Sequence, residues 1–212
     1  MIKINEIFFS IQGESSYMGH PTVFVRTSGC HLRCTYCDTK YAYHEGTSLS
    51  VPDIIEKIKS FKSNFVCITG GEPLLQKDIF ELSKQLCDFN YNVSLETSGD
   101  IDCAGLDLRV RKIIDVKTPD SGAAGAFEQK NLMFADVNSE FKFVICSEKD
   151  FDWAEKFCKD NALFEKTNVL YSPSYGVISE NWLAKKILSQ QSNARLQLQL
   201  HKYIWSPHER GV

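Results

Sequence analysis

The sequence predicts an α/β fold built on a mainly parallel sheet, and three observations carry that expectation. Short β-branched and aromatic runs alternate with segments of helical periodicity, the pattern of βα units. Many strand-like runs end in polar or glycine motifs: Cys30 onward, Gly70-Gly71, Thr97-Ser98-Gly99 and Lys117-Thr118. In βα barrels and open α/β sheets, active sites form at those strand ends. Helices are also too few to cover a large open sheet on both faces, which favours a closed or nearly closed barrel.

Taken in order, Ile2 to Phe9 reads as a strand and leads to Ile11-Gln12-Gly13-Glu14, where Gly13 allows a turn. Thr22 to Arg26 is a second strand, ending on a charge just ahead of the cysteines. Arg26 is either a solvated strand end or a cation beside an anionic ligand. Ser50 caps a helix, with Pro52 and Asp53 in its first turn and Ile54, Ile55, Ile58 and Phe61 on one face. Phe65 to Thr69 is a buried strand before Gly70-Gly71-Glu72-Pro73, and a helix from Asp78 presents Ile79, Leu82, Leu86 and Phe89.

Val93 to Glu96, Ile113 to Val116, Glu140 to Ile145 and Val169 to Tyr171 are further strands. Phe151 to Lys159 and a Ser179-capped segment through Leu188 are helices, while 119–139 gives no clear element. Arg195 to Tyr203 alternates, with Leu196, Leu198 and Leu200 on one face and Gln197, Gln199 and His201 on the other. On an edge strand that polar face meets solvent; in a barrel it points inward, and the scarcity of helices favours the barrel.

With 212 residues, 43% of them hydrophobic and 24% charged, the chain suits one soluble domain over 1–212. A net charge of −3 suggests neither nucleic acid nor a membrane surface as partner. No apolar run or signal-peptide pattern stands out, so a cytoplasmic enzyme is expected. Cys67, Cys87, Cys103, Cys146 and Cys158 read as small core residues and not as disulfides.

The other three cysteines, Cys30, Cys34 and Cys37, stand at C-x3-C-x2-C with Tyr36 before the last. Three thiolates on one loop can hold an inorganic centre without completing a four-thiolate shell. A cubane cluster bound this way leaves one iron without a protein thiolate, and an open position is what a catalytic metal site needs. Zinc completed by His20, His31 or His44 is the other metal reading, although the spacing is tight and no second C-x2-C follows. Unrelated buried thiols are the third.

The C-x3-C-x-aromatic-C order resembles the cluster loop of radical S-adenosylmethionine (SAM) enzymes. Gln12-Gly13-Glu14, Arg26, Cys37-Asp38-Thr39, Gly70-Gly71-Glu72-Pro73, Glu96-Thr97-Ser98-Gly99, Asp115 to Pro119 and His201-Lys202-Tyr203 followed by Pro207 extend the likeness. Together they resemble the 7-carboxy-7-deazaguanine synthase family, with Ser15 standing where the family often has glycine. The resemblance implies a modified, partial (βα) barrel of the radical SAM type with few helices.

It also implies a [4Fe-4S] cluster on Cys30, Cys34 and Cys37, with SAM chelating the fourth iron. Tyr36, Cys37, Asp38, Gly71, Gly99 and the segment Cys146-Ser147-Glu148 would contact SAM, and Thr39 would give an oxygen to Mg²⁺. Ile11, Gln12, Gly13, Glu14, Arg26, Thr97, His201 and Pro207 would surround a pterin substrate, 6-carboxy-5,6,7,8-tetrahydropterin. A homodimer and a flavodoxin or ferredoxin reductant belong to the same expectation. Two rivals share the cysteine loop: an activase that makes a glycyl radical on a partner protein, and a zinc-binding module without catalysis.

Overall fold

The computed structural model describes residues 1–206 and 209–212. The first half of the chain forms β1 (Ile2–Ile11), β2 (Pro21–Thr27), β3 (Thr47–Leu49), α1 (Val51–Lys59), β4 (Phe65–Gly70), α2 (Asp78–Asp88) and β5 (Asn92–Thr97). The second half forms β6 (Arg111–Asp115), β7 (Ser139–Ile145), α3 (Glu148–Asp160), the one-turn α4 (Leu163–Lys166), β8 (Asn168–Pro173), α5 (Glu180–Ser189), β9 (Arg195–Leu196) and α6 (His201–Ile204). Among the described residues all strands join one sheet, in the order β3-β1-β2-β4-β5-β6-β7-β8-β9. β1 runs antiparallel to both its neighbours, and every pairing from β2 to β9 is parallel.

Alternation along the strands decides what each face of the sheet does. Val23, Val25, Val66, Ile68, Val93 and Leu95 pack with Ile54, Ile58, Leu82 and Leu86 from α1 and α2 into an aliphatic core. Ile114, Phe141, Phe143, Val169 and Tyr171 pack with Phe151, Ala154 and Leu183 from α3 and α5 into a more aromatic one. These residues occupy one phase of a period-two pattern, so they share the helix-covered face. The opposite phase, including Arg26, Thr69, Glu96, Asp115, Lys142 and Ser172, lines a single cavity. Strands from β1 to β8 could not face one cavity if the sheet were flat. It curls into a partial barrel with helices outside and polar groups inside.

The helix starts follow local chemistry. Ser50 and Asp53 form a reciprocal capping box on α1, Ser147 caps α3 and Ser179 caps α5. The structure departs from expectation at four places. Phe61 lies two residues past the end of α1, packed against the same core. Phe89 lies past the end of α2 and is exposed, leaving the apolar face to Ile79, Leu82 and Leu86. Residues 119–139 hold two 3-10 turns, Pro119–Ser121 and Gln129–Phe134. The alternating segment from Arg195 is a strand for two residues only and then turns into α6. The last backbone bond to β8 is Gln197 N to Tyr171 O at 2.8 Å, and the chain then leaves the sheet to cross toward the loop after β1.

That loop closes the lower end of the barrel. Ser16 N donates to both Glu140 oxygens at 3.1 Å, and Tyr17 packs edge-on against Phe65 at the start of β4. Arg195 Nη2 donates to Ser15 O at 3.0 Å, and Leu200 N to Gly13 O at 3.0 Å, bridging the open seam between the two ends of the sheet. Ser15 takes a left-handed backbone (φ 65°), the conformation a glycine adopts most cheaply. Its hydroxyl accepts from Tyr17 N at 3.2 Å, a local bond that helps a serine hold that turn.

Candidate active site

The cavity has a volume of about 720 Å³, within the range of small-molecule sites. Its upper wall is the cysteine loop that follows β2. Cys30, Cys34 and Cys37 all line it, and all three are free and partly buried. The loop is held from several sides: Thr35 N donates to Ser121 O at 2.8 Å, Thr35 Oγ1 to Asp120 O at 3.1 Å, and His31 pairs with Asp100. Below it, Glu72 N donates to Gly29 O at 2.8 Å. A Cβ on Gly71 would overlap the Gly29 carbonyl, so only glycine lets the β4 loop lie this close to the cysteines.

Burial pushes the Cys30 and Cys34 thiols above their ordinary range. Such thiols become good ligands when a positive metal centre stabilises their thiolates. Among the described residues no three His, Cys, Asp or Glu side chains converge as ligands to a single ion. The histidines that zinc would need are engaged elsewhere: His20 stacks on Phe65, His31 pairs with Asp100, and His44 packs edge-on against Tyr43. Three free thiols in one cavity wall, set apart rather than gathered on a point, fit a multi-iron cluster with an open iron.

The lower and lateral walls are charged. The Lys142 ammonium pairs with Glu14, and Gln199 Nε2 donates to Glu14 Oε1 at 2.8 Å. Burial alone would push the Glu14 carboxyl up; Lys142, then His201, outweigh it and hold the group below its ordinary value. Lys142 is correspondingly raised, burial opposing and Glu14 winning. Glu96, 2.8 Å from Thr69 Oγ1, is pushed up by its own burial and by the Glu14 charge. Lys117 sits 3.0 Å from Asp115 Oδ2. Asp115 Oδ1, Gln12 Nε2 and the Tyr36 hydroxyl are buried without a protein partner, and all three residues line the cavity. Buried polar atoms of this kind are ordinarily satisfied by something bound.

Most of the sequence-derived site residues meet here. Ile11, Gln12, Glu14, Arg26, Tyr36, Cys37, Asp38, Thr39, Gly71, Thr97 and His201 all line the cavity. Arg26 is not a solvated strand end: its Nε donates to Glu6 Oε1 at 2.7 Å, and its guanidinium lies 5.5 Å from the Phe8 ring centroid. Thr97 Oγ1 donates to Glu72 Oε1 at 2.9 Å, and Glu72 also accepts from Ser98 N at 2.7 Å, tying the β4 and β5 loops together. Gly13 stands just behind the wall, where a Cβ would collide with the His201 ring.

Others are placed elsewhere. Gly99 packs behind the wall against Ile114 and Phe127. Cys146, Ser147 and Glu148 do not line the cavity: Ser147 Oγ is taken by the α3 cap and by Asp120, and Glu148 pairs with Lys186. The polar face expected on Gln197, Gln199 and His201 is inward as foreseen but not on a strand, and Gln197 is buried off the cavity, donating to Leu198 O at 2.7 Å. Pro207 lies outside the described residues.

Lys142 is absent from the sequence-derived site, which carries Glu96, Asp115 and Lys117 only as members of motifs, without roles of their own. A signal existed for the first. Glu140-Phe141-Lys142-Phe143 alternates charge with aromatic in a fully buried strand, and charges at i and i+2 in such a strand face a polar interior.

Comparison with known proteins bears on the family and the fold. Residues 24–120 match the Radical SAM superfamily. The chain is 42% identical to 7-carboxy-7-deazaguanine synthase of Chlorobaculum tepidum over 100% of its own length and 97% of the relative's. It is 38% identical to the enzyme of that name from Koribacter versatilis over 100% of both. A crystal structure of QueE from Escherichia coli shares the fold with a TM-score of 0.78, 22% identity and 94% coverage of each chain. No helix among the described residues is long and apolar enough to cross a membrane. Identity at this level over whole chains means that the protein belongs to the 7-carboxy-7-deazaguanine synthase family of radical SAM enzymes.

Proposed function

We propose that the chain converts 6-carboxy-5,6,7,8-tetrahydropterin to 7-carboxy-7-deazaguanine with loss of ammonia, serving queuosine and other 7-deazapurine synthesis in the cytoplasm. One observation carries the reading: three free thiols and a set of buried, partly unpartnered polar groups wall the same cavity. When bound, the [4Fe-4S] cluster and SAM supply the hydrogen-atom abstraction that starts the ring contraction.

The chain's own residues hold and orient. Cys30, Cys34 and Cys37 would hold the cluster, while Tyr36, Cys37, Asp38 and Gly71 would shape the SAM pocket and Gly99 would back its wall. Ser147 and Glu148 have their side chains engaged, so the segment from Cys146 would meet SAM through its backbone. The pterin carboxylate suits Arg26, whose Nε is used by Glu6 while its two Nη groups have no protein acceptor among the described residues. Gln12 and Glu14 offer an amide and a carboxylate to the polar ring edge, with Ile11, Gly13, Thr97, His201 and Pro207 completing the enclosure.

Thr39 Oγ1 donates to Asp38 Oδ1 at 2.9 Å, which leaves its lone pairs free for a hard cation such as Mg²⁺. The cation would steady charge on the pterin during rearrangement. A flavodoxin or ferredoxin reductant and a homodimeric state complete the proposal.

An anaerobic assay with SAM, Mg²⁺, reductant and the pterin tests it by the ultraviolet spectrum of the deazaguanine product. The expected result is turnover with release of ammonia. Absence of pterin turnover, with radical transfer to a protein, would mean an activase instead.

A further inference from the structure

The segment after β9 touches both ends of the cavity within four residues. Gln199 donates to Glu14, and Leu200 N donates to Gly13 O, both in the loop at the floor. His201 packs on Gly13. Lys202 turns the other way: its Nζ lies 2.7 Å from Asp38 Oδ2, in the cysteine loop that forms the roof. The Lys202 side chain is only 8% exposed and its ammonium lies 5.1 Å from the Tyr175 ring centroid. The Asp38 side chain is 47% exposed toward the cavity, so the pair is sheltered on the lysine side alone and is screened less than a pair exposed on both. Asp38 is in turn hydrogen-bonded to the Thr39 hydroxyl.

We infer that Lys202 is a positioning residue that clasps the C-terminal segment to the cysteine loop through Asp38, and that its ammonium competes with a divalent cation at the Asp38–Thr39 pair. Two positive charges cannot share one carboxylate without repelling each other, so a cation arriving at Thr39 meets the field of Lys202. The clasp therefore sets both how firmly residues 199–204 cover the cavity and how tightly the cation binds. The second consequence rests on the reading of Thr39 as a cation ligand; the first does not.

The experiment uses the cluster-loaded enzyme, its Lys202→Met and Lys202→Arg variants, and Thr39→Ala. Hydrogen exchange over 199–206 reports the clasp. Titration with Mn²⁺ alone, followed by its paramagnetic resonance signal, reports the cation. Lys202→Met should speed exchange over 199–206 by tenfold or more and tighten Mn²⁺ binding by about tenfold. Lys202→Arg should restore slow exchange. Unchanged exchange in Lys202→Met overturns the clasp. Faster exchange with unchanged or weaker Mn²⁺ binding overturns the competition. Thr39→Ala with unaltered Mn²⁺ affinity overturns the Thr39 reading and the competition built on it, and the exchange result then judges the clasp by itself.

Discussion

The cysteine loop and the C-terminal segment face each other across one cavity, yet they are specified in opposite ways. The loop places three free thiols within eight consecutive residues, so its chemistry is local and needs only a framework to hold it. The segment from Gln197 to Ile204 has little regular structure of its own. Its position comes from contacts to residues far away in the chain, such as Gln199 to Glu14 and Lys202 to Asp38. A contiguous motif survives in the sequence as a pattern, whereas a segment held by distant partners leaves a pattern that fits several conformations.

The sharpest way to separate the two regions is to remove a thiol. Cys34→Ser should abolish cluster loading, read as lost iron and sulfide and at least a thousandfold loss of activity, without disturbing the C-terminal segment. Collapse of that segment as well, seen as faster exchange over 199–206, would show that the regions are not independent. Gly13→Ala makes the opposite cut. A methyl group there collides with the His201 ring, so the segment must move. Pterin binding should weaken ten- to a hundredfold by calorimetry while iron content and SAM binding stay normal; an unchanged pterin affinity contradicts that account.

Arg26→Ala sits between the regions. It removes the fork but leaves Glu6 with Tyr41, whose hydroxyl donates to the same Glu6 oxygen at 3.0 Å. Pterin affinity should fall about tenfold or more and SAM affinity little; equal losses in both would count against a carboxylate contact. The smallest effect concerns protonation of His201. Burial lowers its pKa, with Glu14 and Asp38 opposing. The folded chain then keeps this ring neutral while the unfolded chain takes up a proton below about pH 6.5. The stability it contributes is complete above that value and is lost as pH falls toward the lowered one. A histidine NMR titration should place its midpoint below 6.5, and a midpoint at or above 6.5 would refute the burial argument.

Legibility varied for physical reasons. Strand and helix positions were readable because Ser50, Ser179 and the aliphatic runs act within a few residues of themselves. The inner face was harder to read. Val66-Cys67-Ile68-Thr69 looks like a uniform buried run, but its two phases meet different surroundings, α1 and α2 on one side and the cavity on the other. Lys142 is legible only through its alternation with Glu140, because a single charge in a strand gives no sign of whether it faces water, a partner or a ligand.

By itself the sequence determined the C-x3-C-x2-C loop, the order of βα units and the residues that glycine-rich loops bring to the strand ends, since each depends on near neighbours and on side-chain alternation. Only the tertiary structure decided which charges are paired, that 195–203 leaves the sheet, and that Lys202 reaches Asp38. Those outcomes depend on where the curled sheet brings remote segments together, and pairing across such distances has no local signature.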